Sequence, residues 1–415
     1  MLFPQGFVSF YQTQKATKKI GDLEVSGKLP KDIIALGFVS LLMDMSSEMI
    51  HSLLPVFLVG TLGVSAMTVG LIEGVAEATA AFAKVFSGVI SDLWGRRKPL
   101  VLAGYGLAAL TKPLFALATG AGTVFTARFI DRIGKGIRGA PRDALIADVT
   151  PPELRGAAYG LRQAMDSVGA VLGPLAAVVF MTFYAGDFRL AFWAASVPAF
   201  FCVALIVFGV REPGREKKAR AAKFPIHKDE LARLPAGYWL AVVFAFLLTL
   251  SRFSEAFLLL RASSVGISAA FVPLALLVMN LIFSLSAYPL GLLADRANRG
   301  KLFAAGIWML IAADIVLALA KGPLAVFSGV ALWGLHMGAT QGLLSVVVAD
   351  ASPADLRGTA FGVFHLATGA ALIAASFLAG GLWEWFGPSF TFAAGGVFAA
   401  LSLIFLGILR HRAVF

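Results

Sequence analysis

Long apolar runs alternate with short polar segments along the whole chain after about residue 32. Twelve of these runs reach about 20 residues, the length at which an α-helix crosses the apolar core of a bilayer. The sequence therefore predicts an all-α integral membrane protein. We expect its spans near residues 33–60, 66–91, 98–119, 122–146, 156–184 and 188–210, and near 237–260, 267–294, 301–320, 323–349, 357–384 and 388–409.

Two charged segments divide the chain into parts. Residues 1–32 carry four lysines before Lys31 and predict a cytoplasmic tail, since no apolar core with a small-residue cleavage site is present. Residues 211–236 form the only long charged stretch after that tail, and we interpret them as a cytoplasmic linker. The remaining parts, residues 33–210 and 237–415, each contain six predicted spans.

The basic residues gather on one side of the predicted membrane. They follow the second, fourth, sixth, eighth, tenth and twelfth runs, whereas the alternate loops, such as GTLGVS and ATGAGT, are nearly free of Lys and Arg. Loops rich in Lys and Arg stay in the cytoplasm. We therefore expect a multi-pass protein of the cell (inner) membrane, with both termini and the linker in the cytoplasm.

The two halves repeat each other in sequence. The segment ADVTPPELRGAAYG (147–160) matches ADASPADLRGTAFG (349–362), and GVISDLWGRRK (88–98) matches GLLADRANRGK (291–301). Both matches have nearly the same spacing and lie on the same side of the membrane. This pattern indicates a parallel duplication of six helices, an arrangement that in transporters places the substrate near the bilayer midplane between the halves.

Composition agrees with a membrane protein and excludes several other classes. Of 415 residues, 59% are hydrophobic and 14% are charged, against about 25% charged in soluble domains. The net charge of +11 is explained by the basic loops, so nucleic acid is not an expected partner. The single cysteine, Cys202, excludes an intramolecular disulfide. No GxxxxGK[ST], HExxH or GxSxG motif occurs, which argues against ATP drive and against a membrane enzyme.

The most informative stretch is Arg128–Arg142 in the fourth run. At about 100° per residue on a helix, Arg128, Arg132 and Lys135 stack on one face. A charge at the bilayer centre costs about 2.5–3.5 kcal/mol on insertion scales, so these residues face the protein interior or a water-filled cavity. Asp131, Arg138 and Arg142 fall on the same side. The sequence leaves open whether Arg138 and Arg142 only anchor the helix at its cytoplasmic end.

Acidic residues occupy the first two runs. Asp44, Glu48 and His51 lie at i, i+4 and i+7, on one helix face. They form a candidate proton-titrating set, because burial and charged partners change the protonation of carboxyl and imidazole groups. Static pairing with an arginine of the fourth run is the alternative. A metal site is less favoured, because no cysteine or second histidine is nearby.

Other polar residues fall in the apolar runs. Glu73, Glu77 and Lys84 share a face of the second run, and their spacing favours internal ion pairs, with Glu77 a further candidate for proton coupling. Arg162 and Asp166 form a possible i, i+4 pair. We expect two lone residues, His365 and Asp314, to be satisfied interior groups. The polar residues of the seventh and tenth runs are Arg252, Glu255, His336 and Gln341.

The loop after the second run carries a family resemblance. Gly88, Asp92, Gly95, Arg96 and Arg97 resemble the loop signature between spans two and three of the major facilitator superfamily. Its copy in the second half has Gly291, Asp295, Arg296, Arg299 and Lys301, with Asn298 in place of the middle glycine. The resemblance covers the chain beyond about residue 32. It implies twelve helices with a cavity lined by spans one, four, seven and ten, and a gating network of the loop residues with Asp148 and Asp295.

Two further signatures resemble the drug:proton antiporter branch of that family. Arg132-Ile-Gly-Lys135-Gly136 is similar to its span-four motif, which has Gln where Lys135 stands. The residues Gly160, Gly169, Gly173, Pro174 and Ala177 are similar to the span-five motif of exporters, with Ala as the last small residue. Small residues at this spacing let helices approach closely. The span-five resemblance favours export.

The sequence thus predicts a secondary active transporter that moves a small organic solute, anionic or zwitterionic, by alternating access with proton coupling. The alternative is a proton-coupled exporter of lipophilic or cationic drugs, and a transporter-like receptor or a membrane enzyme is less favoured. We expect a monomer without cofactor or metal whose partners are the solute, protons and lipid. The candidate substrate-binding residues are Arg128, Arg132, Lys135, Arg252, Glu255, His336 and Gln341, and the candidate proton-coupling residues are Asp44, Glu48, His51 and Glu77.

Overall fold

The computed structural model describes residues 29–212, 228–296, 298–353 and 356–411, which form helices and short connections without strands. The first half contains α1 (Lys31–His51), α2 (Ala66–Trp94), α3 (Lys98–Ala116), α4 (Ala121–Val149), α5 (Arg155–Phe183) and α6 (Phe188–Gly209). The second half contains α7 (Ala236–Leu250), α8 (Leu274–Arg296), α9 (Arg299–Leu319), α10 (Pro323–Asp350), α11 (Arg357–Phe386) and α12 (Pro388–His411). Short helices cover Leu54–Val56, Pro152–Leu154, Lys228–Ala232 and Ala256–Ser264, and Phe57–Thr61 is a π-helical turn.

Nine helical segments of the described ranges are long and apolar enough to cross a membrane. The three predicted spans outside this set are α2, α4 and α7. Helices α2 and α4 have 29 residues each and carry the acidic and basic side chains described below. Helix α7 is an apolar helix of 15 residues, too short to span by itself.

The seventh predicted span is not one continuous helix. The expectation of an unbroken run over residues 237–260 is wrong, because α7 ends at Leu250 and a second helix begins at Ala256. Polar residues concentrate in this break, and side chains satisfy its backbone. The Ser376 hydroxyl of α11 accepts from the Ser254 N–H at 3.1 Å, and the Ser254 hydroxyl accepts from the Ala256 N–H at 3.2 Å. Irregular backbone at membrane depth is tolerated where protein groups satisfy it in this way.

The eighth span is shorter than predicted. The sequence indicates helix from residue 267, but α8 begins at Leu274 and the preceding residues form turns. Pro273 accounts for this start, because a proline disfavours helical backbone at the residue before it. The first span is extended by Leu54–Val56 and the following π-helical turn.

Glycines bring α5 and α1 into close contact. A Cβ added to Gly169 would lie 2.6 Å from the Leu41 carbonyl oxygen, and one added to Gly173 would lie 2.7 Å from the Met45 carbonyl oxygen. Only a residue without a side chain fits at such distances. The glycines of the predicted span-five motif therefore hold α5 against α1. Gly160 differs, since nothing lies within 4 Å of its added Cβ.

The two halves meet along two helix pairs. Helices α2 and α11 pack along most of their length, from Met67 against Gly380, where an added Cβ would meet backbone at 2.6 Å, to Phe82 against Gly369. Helices α5 and α8 form the second pair, and the Asn280 amide donates to the Ala170 carbonyl at 3.0 Å.

The bundle has two ends, which we name by their loops. The linker end carries Gly95–Arg97 and Val210–Glu212, and the far end carries residues 62–65, 117–120 and 320–322. At the far end, the short helix Leu54–Val56 of the first half contacts Ala256–Ser264 of the second. The halves are thus packed together at the far end.

The predicted repeat is visible as a pair of equivalent ion pairs at the linker end. The Arg97 Nε lies 3.0 Å from Asp148, and the Arg299 Nη1 lies 2.7 Å from Asp350. Each pair joins residues 51 apart in the chain. The geometry makes Arg299 the counterpart of Arg97, although aligning 88–98 with 291–301 would place Arg299 opposite Arg96.

Helices α3 and α9, which are counterparts in the repeat, end in the same way. Arg189 donates to the carbonyls of Ala116 and Ala118 at 2.8 and 2.9 Å. Arg261 donates to the carbonyls of Leu317 and Ala320 at 2.8 and 2.7 Å. Each guanidinium satisfies carbonyls at a helix C-terminus that have no partner within the helix.

Candidate functional site

A central cavity lies between the halves and consists of two connected compartments. The polar compartment, of about 110 Å³, lies against the first half, and the apolar compartment, of about 440 Å³, lies between α5, α8, α10 and α11. They share five lining residues: Gln163, Ser167, Phe283, Ser284 and His365. The apolar compartment reaches Gly160 at the start of α5 and Arg299 at the start of α9. The cavity therefore extends toward the linker end, opposite the packed far end.

The polar compartment is rich in ionisable side chains. Four basic residues line it, Lys84, Lys135, Arg138 and Arg142, against three acidic residues, Asp44, Glu77 and Asp166. Among the described lining residues, four positive charges minus three negative charges leave one positive charge, even with every carboxyl ionised. These residues come from α1, α2, α4 and α5, so the compartment is built by the first half, with Asn280, Phe283, Ser284 and His365 closing it from the second.

Lys135 is the central cation of this compartment. It is the middle residue of the 29-residue α4, and it interacts electrostatically with Glu77, Asp44 and Glu48. Within the described residues, however, it makes no hydrogen bond and no ion pair shorter than 4 Å. An ammonium group in a cavity wall with its three donors unused is suited to bind an anionic group.

Two other basic residues of α4, Arg128 and Arg132, belong to a buried ion network behind the cavity. The Arg128 guanidinium donates to both Glu73 carboxylate oxygens, at 3.1 and 2.6 Å. Arg132 lies 3.1 Å from Glu77 and 3.3 Å from Asp131. Buried charges of this kind require partners. The network therefore explains how α4 carries these charges across the membrane.

Lys112 of α3 completes this network. Its ammonium donates to Asp131 at 2.8 Å and to the Ser47 hydroxyl at 3.0 Å. Lys112 is not among the residues predicted from the sequence, although a lysine within an apolar run is itself a signal of a buried partner.

Two carboxyl groups meet at the cavity wall. Asp44 and Asp166 both line the polar compartment and interact electrostatically with each other. Two neighbouring carboxyl groups favour the binding of a proton by one of them, because like charges repel. Arg162 lies 2.9 Å from Asp166, which confirms the predicted i, i+4 pair, and Arg142 lies 4.0 Å from the same carboxylate.

Arg138 and Arg142 face the cavity, which resolves the alternative that the sequence left open. The Arg138 guanidinium lies over the Tyr105 ring, 4.4 Å from its centroid. Arg142 is 8% exposed and lies 3.3 Å from the Tyr105 hydroxyl. Both side chains line the polar compartment and are buried in the first half, so neither serves only as an interfacial anchor.

The structure brings only some of the sequence-predicted binding residues to the cavity. Lys135 lines its polar compartment and Gln341 its apolar compartment. Arg128 and Arg132 are 2% exposed and lie outside the lining of both compartments. His336 is also outside and fully buried, with its Nδ1 lying 2.7 Å from the Gly306 carbonyl oxygen.

The remaining predicted binding residues, Arg252 and Glu255, lie in the break of the seventh span. They interact electrostatically with each other, and Glu255 also interacts with His51 and Glu48 of the first half. Neither lines the two compartments. Discontinuous helices supply ion and substrate groups in several transporters, so this break is a second polar region at mid-depth.

Only some of the predicted proton-coupling residues line the cavity. Asp44 and Glu77 line the polar compartment. Glu48 and His51 lie behind it, with His51 3.7 Å from Glu48 and 3.6 Å from Glu73. The described residues contain no group of three or more His, Cys, Asp and Glu side chains arranged to hold a metal ion.

The predicted gating residues lie at the linker end. Gly88 packs on Ala140, and Gly95 ends α2 with a φ of 67°. Arg97 pairs with Asp148 as predicted and also donates to the Ser91 hydroxyl at 2.6 Å. Arg96 is exposed and lies 3.9 Å from Glu212, not beside Asp148. The side chains of Asp92 and Asp295 lie outside the described part of the structure.

Three residues of the second half were missed or misjudged from sequence. His365 and Asp314 are interior as expected but not satisfied, because the His365 Nδ1 and both Asp314 carboxylate oxygens are buried without hydrogen-bond partners. His365 lines both compartments. Asn280, which links α8 to α5, was missed, although an asparagine within an apolar run was a visible signal.

Comparison with known sequences identifies the family. The family model described as Major Facilitator Superfamily matches residues 36–260 and 245–414. An uncharacterised MFS-type transporter of Methanocaldococcus jannaschii, MJ1317, is 30% identical over 389 residues, which cover 91% of this chain and 95% of that protein. The multidrug resistance protein MdtH of Yersinia pestis is 28% identical over 213 residues, covering 49% of this chain and 52% of MdtH.

Solved structures with the same fold extend this finding. A mutant form of the nucleoside transporter NupG superposes with a TM-score of 0.76 at 14% identity, covering 92% of this chain and 99% of that one. A POT family transporter in complex with a thioalcohol-conjugated peptide gives a TM-score of 0.75 at 12% identity, covering 92% and 96%. At these identities the likeness shows a shared fold. Together with the family match, it shows that the chain belongs to the major facilitator superfamily, a family of membrane transporters.

Proposed function

We propose that this protein is a proton-coupled secondary transporter, not an enzyme, and that its solute is a small organic compound with an anionic group. The observation that carries this proposal is Lys135, the cavity-lining ammonium that has no ion pair or hydrogen bond within the described residues. The solute would bind there from the linker end. We further propose that the linker and both termini are cytoplasmic, in the cell membrane, and that the protein acts as a monomer.

The charge balance of the polar compartment supports an anion over a cation. An acidic solute brought to Lys135 would also meet Arg138, whose Nη1 is buried without a partner. Two of the three acids are already engaged, because Glu77 lies 3.1 Å from Arg132 and Asp166 lies 2.9 Å from Arg162. A zwitterion fits as well, since its cationic group can face Asp44, the third acid, while its anionic group faces Lys135.

Alternating access is supported by the asymmetry of the cavity. It extends to the linker end, whereas the far end is packed through Leu54–Val56 and Ala256–Ser264. Transport requires the opposite arrangement as well, with the linker end closed. We propose that the loop ion pairs Arg97–Asp148 and Arg299–Asp350 bias the equilibrium between these two arrangements.

We assign proton coupling to the neighbouring carboxyls of Asp44 and Asp166, which line the cavity and interact electrostatically. Repulsion between two such carboxylates favours the binding of a proton by one of them. An anion at Lys135 removes compensating positive charge from Asp44, which favours its protonated form. Solute and proton occupancy would therefore be linked. Glu48 is a weaker candidate than the sequence indicated, because it lies behind the cavity beside His51.

The direction of transport is proposed as export. It rests on the resemblance of Gly160, Gly169, Gly173 and Pro174 to the span-five motif of exporters. In the structure Gly169 and Gly173 hold α5 against α1. This close packing is compatible with export without requiring it.

A multidrug exporter of lipophilic or cationic compounds is the second candidate. The similarity to MdtH over about half of each chain favours it, as do the acids Asp44 and Glu77 in the cavity wall. The two candidates differ in the charge of the solute, and therefore in the effect of removing Lys135. An anion loses affinity without that ammonium, whereas a cation gains it.

A thermal-shift assay on purified protein separates the candidates. Benzenesulfonate, glycine betaine and tetraphenylphosphonium serve as anionic, zwitterionic and cationic probes. A ligand present at 100 times its Kd stabilises the folded protein by about 2.7 kcal/mol, which raises its melting temperature. We expect benzenesulfonate to stabilise the parent protein and Lys321→Gln, which removes an exposed lysine at the far end, but not Lys135→Gln. Stabilisation by tetraphenylphosphonium alone would favour the drug exporter.

A further inference from the structure

The apolar compartment of the cavity has no role in binding a small charged group. Its volume of about 440 Å³ falls within the range of about 300–1,000 Å³ that is common for ligand pockets. Among the described residues of its wall none is acidic, and the single charged one, Arg299, is exposed and paired with Asp350. Most of its lining is apolar and includes Phe283, Ala287, Leu290, Ala294, Met337, Leu343, Val346 and Phe361. A small hydrophilic anion at Lys135 would not extend into this space. The apolar wall would then stay in contact with water.

The compartment is bounded differently on its two sides. On one side α2 and α11 are packed from Met67–Gly380 to Phe82–Gly369. On the other side the Asn280 amide bonds to the Ala170 carbonyl, at the middle of α5. Between this bond and the linker end, both α5 and α8 contribute exposed residues to the lining of the compartment. We call the space between these two stretches the α5–α8 opening.

Residues at the rim of this opening are exposed. Gly160 and Ala164 border it on α5, and Tyr288, which is 66% exposed, borders it on α8. Nothing lies within 4 Å of a Cβ added to Gly160. Both α5 and α8 are apolar helices long enough to span a membrane, so we expect their exposed side to face lipid. The opening would then connect the apolar compartment with the hydrocarbon region of the leaflet at the linker end.

From these features we propose that the solute is a single-chain amphiphile with an anionic head group, taken from the bilayer through the α5–α8 opening. This inference rests on the proposed function and specifies its substrate class. The head group binds Lys135 in the polar compartment, and the chain lies along α8 and α10 in the apolar compartment. The shared residues Ser167, Ser284 and Gln163 mark the boundary between head and chain.

The arrangement solves a physical problem specific to such a solute. Its charged head must leave the membrane surface for a binding site at mid-depth, while its chain must stay out of water. A polar compartment joined to an apolar one that opens to lipid meets both requirements. A water-soluble anion would need only the polar compartment and a water-filled entrance.

Photolabelling in lipid nanodiscs tests the inference. The probe is octadecanesulfonate with a diazirine in its chain, incorporated in the nanodisc bilayer, and the labelled residues are mapped by mass spectrometry. Octadecyltrimethylammonium with the same diazirine is the matched cationic probe. We expect the sulfonate probe to label Phe283, Met337 and Phe361 inside the apolar compartment, and the cationic probe to label them at least about tenfold less, since a charged hydrogen bond is lost.

Single-residue variants distinguish labelling inside the cavity from labelling on the lipid-facing surface. Gly342 lines the apolar compartment, with nothing within 4 Å of an added Cβ, so the side chain of Gly342→Phe begins in open space and should occupy part of the cavity. Gly407 has the same open surroundings on the exposed face of α12, so Gly407→Phe is the matched control. Labelling inside the compartment should fall at least about tenfold in Lys135→Gln. It should also be lost in Gly342→Phe and persist in Gly407→Phe.

The outcomes distinguish this inference from the proposed function. Labelling confined to lipid-facing residues such as Phe208, or labelling that is unchanged in Lys135→Gln and Gly342→Phe, overturns the inference. If benzenesulfonate still binds through Lys135 in that case, the proposed function stands with a water-soluble solute. If neither sulfonate binds, both proposals fail.

Discussion

The Arg128 guanidinium donates to both carboxylate oxygens of Glu73, at 3.1 and 2.6 Å, and joins α4 to α2 in the membrane interior. This pair shows how charges on one helix face acquire different roles. Arg128 is committed to Glu73, and Arg132, one turn further, is committed to Glu77 and Asp131. Lys135, the next charge on this face, reaches the cavity without such a partner.

Breaking the Arg128–Glu73 pair should destabilise the protein. Arg128→Met leaves the Glu73 carboxylate buried, and removing one partner of a buried pair costs about 3–5 kcal/mol. We expect a clearly lower melting temperature for the purified variant. The double variant with Glu73→Leu should recover part of this loss, because it removes the uncompensated charge. An equal melting temperature for the parent and Arg128→Met would show that the pair has no structural role.

The loop pair Arg97–Asp148 should stabilise the arrangement that is open at the linker end, because it is formed in that arrangement. Asp148→Asn should therefore lower the population of this arrangement. The measurement is the rate at which a maleimide labels Ser345→Cys, a residue that lines the apolar compartment, in a Cys202→Ala background. We expect slower labelling in Asp148→Asn. Asp350→Asn, which breaks the exposed counterpart pair, is the control and should have a smaller effect.

Proton coupling should depend on Asp44 more than on Glu48. Asp44→Asn removes one of the two interacting carboxyls of the cavity wall, whereas Glu48→Gln changes a group behind the cavity. We expect benzenesulfonate binding to change the number of bound protons in the parent and in Glu48→Gln, and to do so less in Asp44→Asn. A pH indicator in weakly buffered solution measures this change. Loss of proton exchange in Glu48→Gln alone would transfer the role to Glu48.

The proposed orientation of the protein rests on its basic loops. In a Cys202→Ala background, Glu153→Cys at the linker end and Lys321→Cys at the far end place single thiols at exposed positions. An impermeant thiol reagent added to intact cells should label Lys321→Cys and not Glu153→Cys. The opposite labelling pattern would reverse the proposed orientation.

The sequence was sufficient for the helical membrane fold, because bilayer thickness sets span length and the repeated loops reveal two equivalent halves. It also placed charges on the correct face of α4. It was not sufficient to separate Arg128 and Arg132 from Lys135, since their pairing depends on which acids of α2 and α3 lie opposite. The broken seventh span was missed because Ser254 is stabilised by Ser376, more than 100 residues away in the chain. Such long-range contacts leave no local pattern.

The central claim is that Lys135 binds the anionic group of a transported solute. The most direct test is the uptake of radiolabelled benzenesulfonate by proteoliposomes under an imposed pH gradient, for the parent, Lys135→Gln and Lys321→Gln. We predict gradient-dependent accumulation in the parent and in Lys321→Gln, and a loss of roughly tenfold or more in Lys135→Gln, as expected when a hydrogen bond to a charged group is removed. Equal accumulation by Lys135→Gln and the parent would contradict the claim.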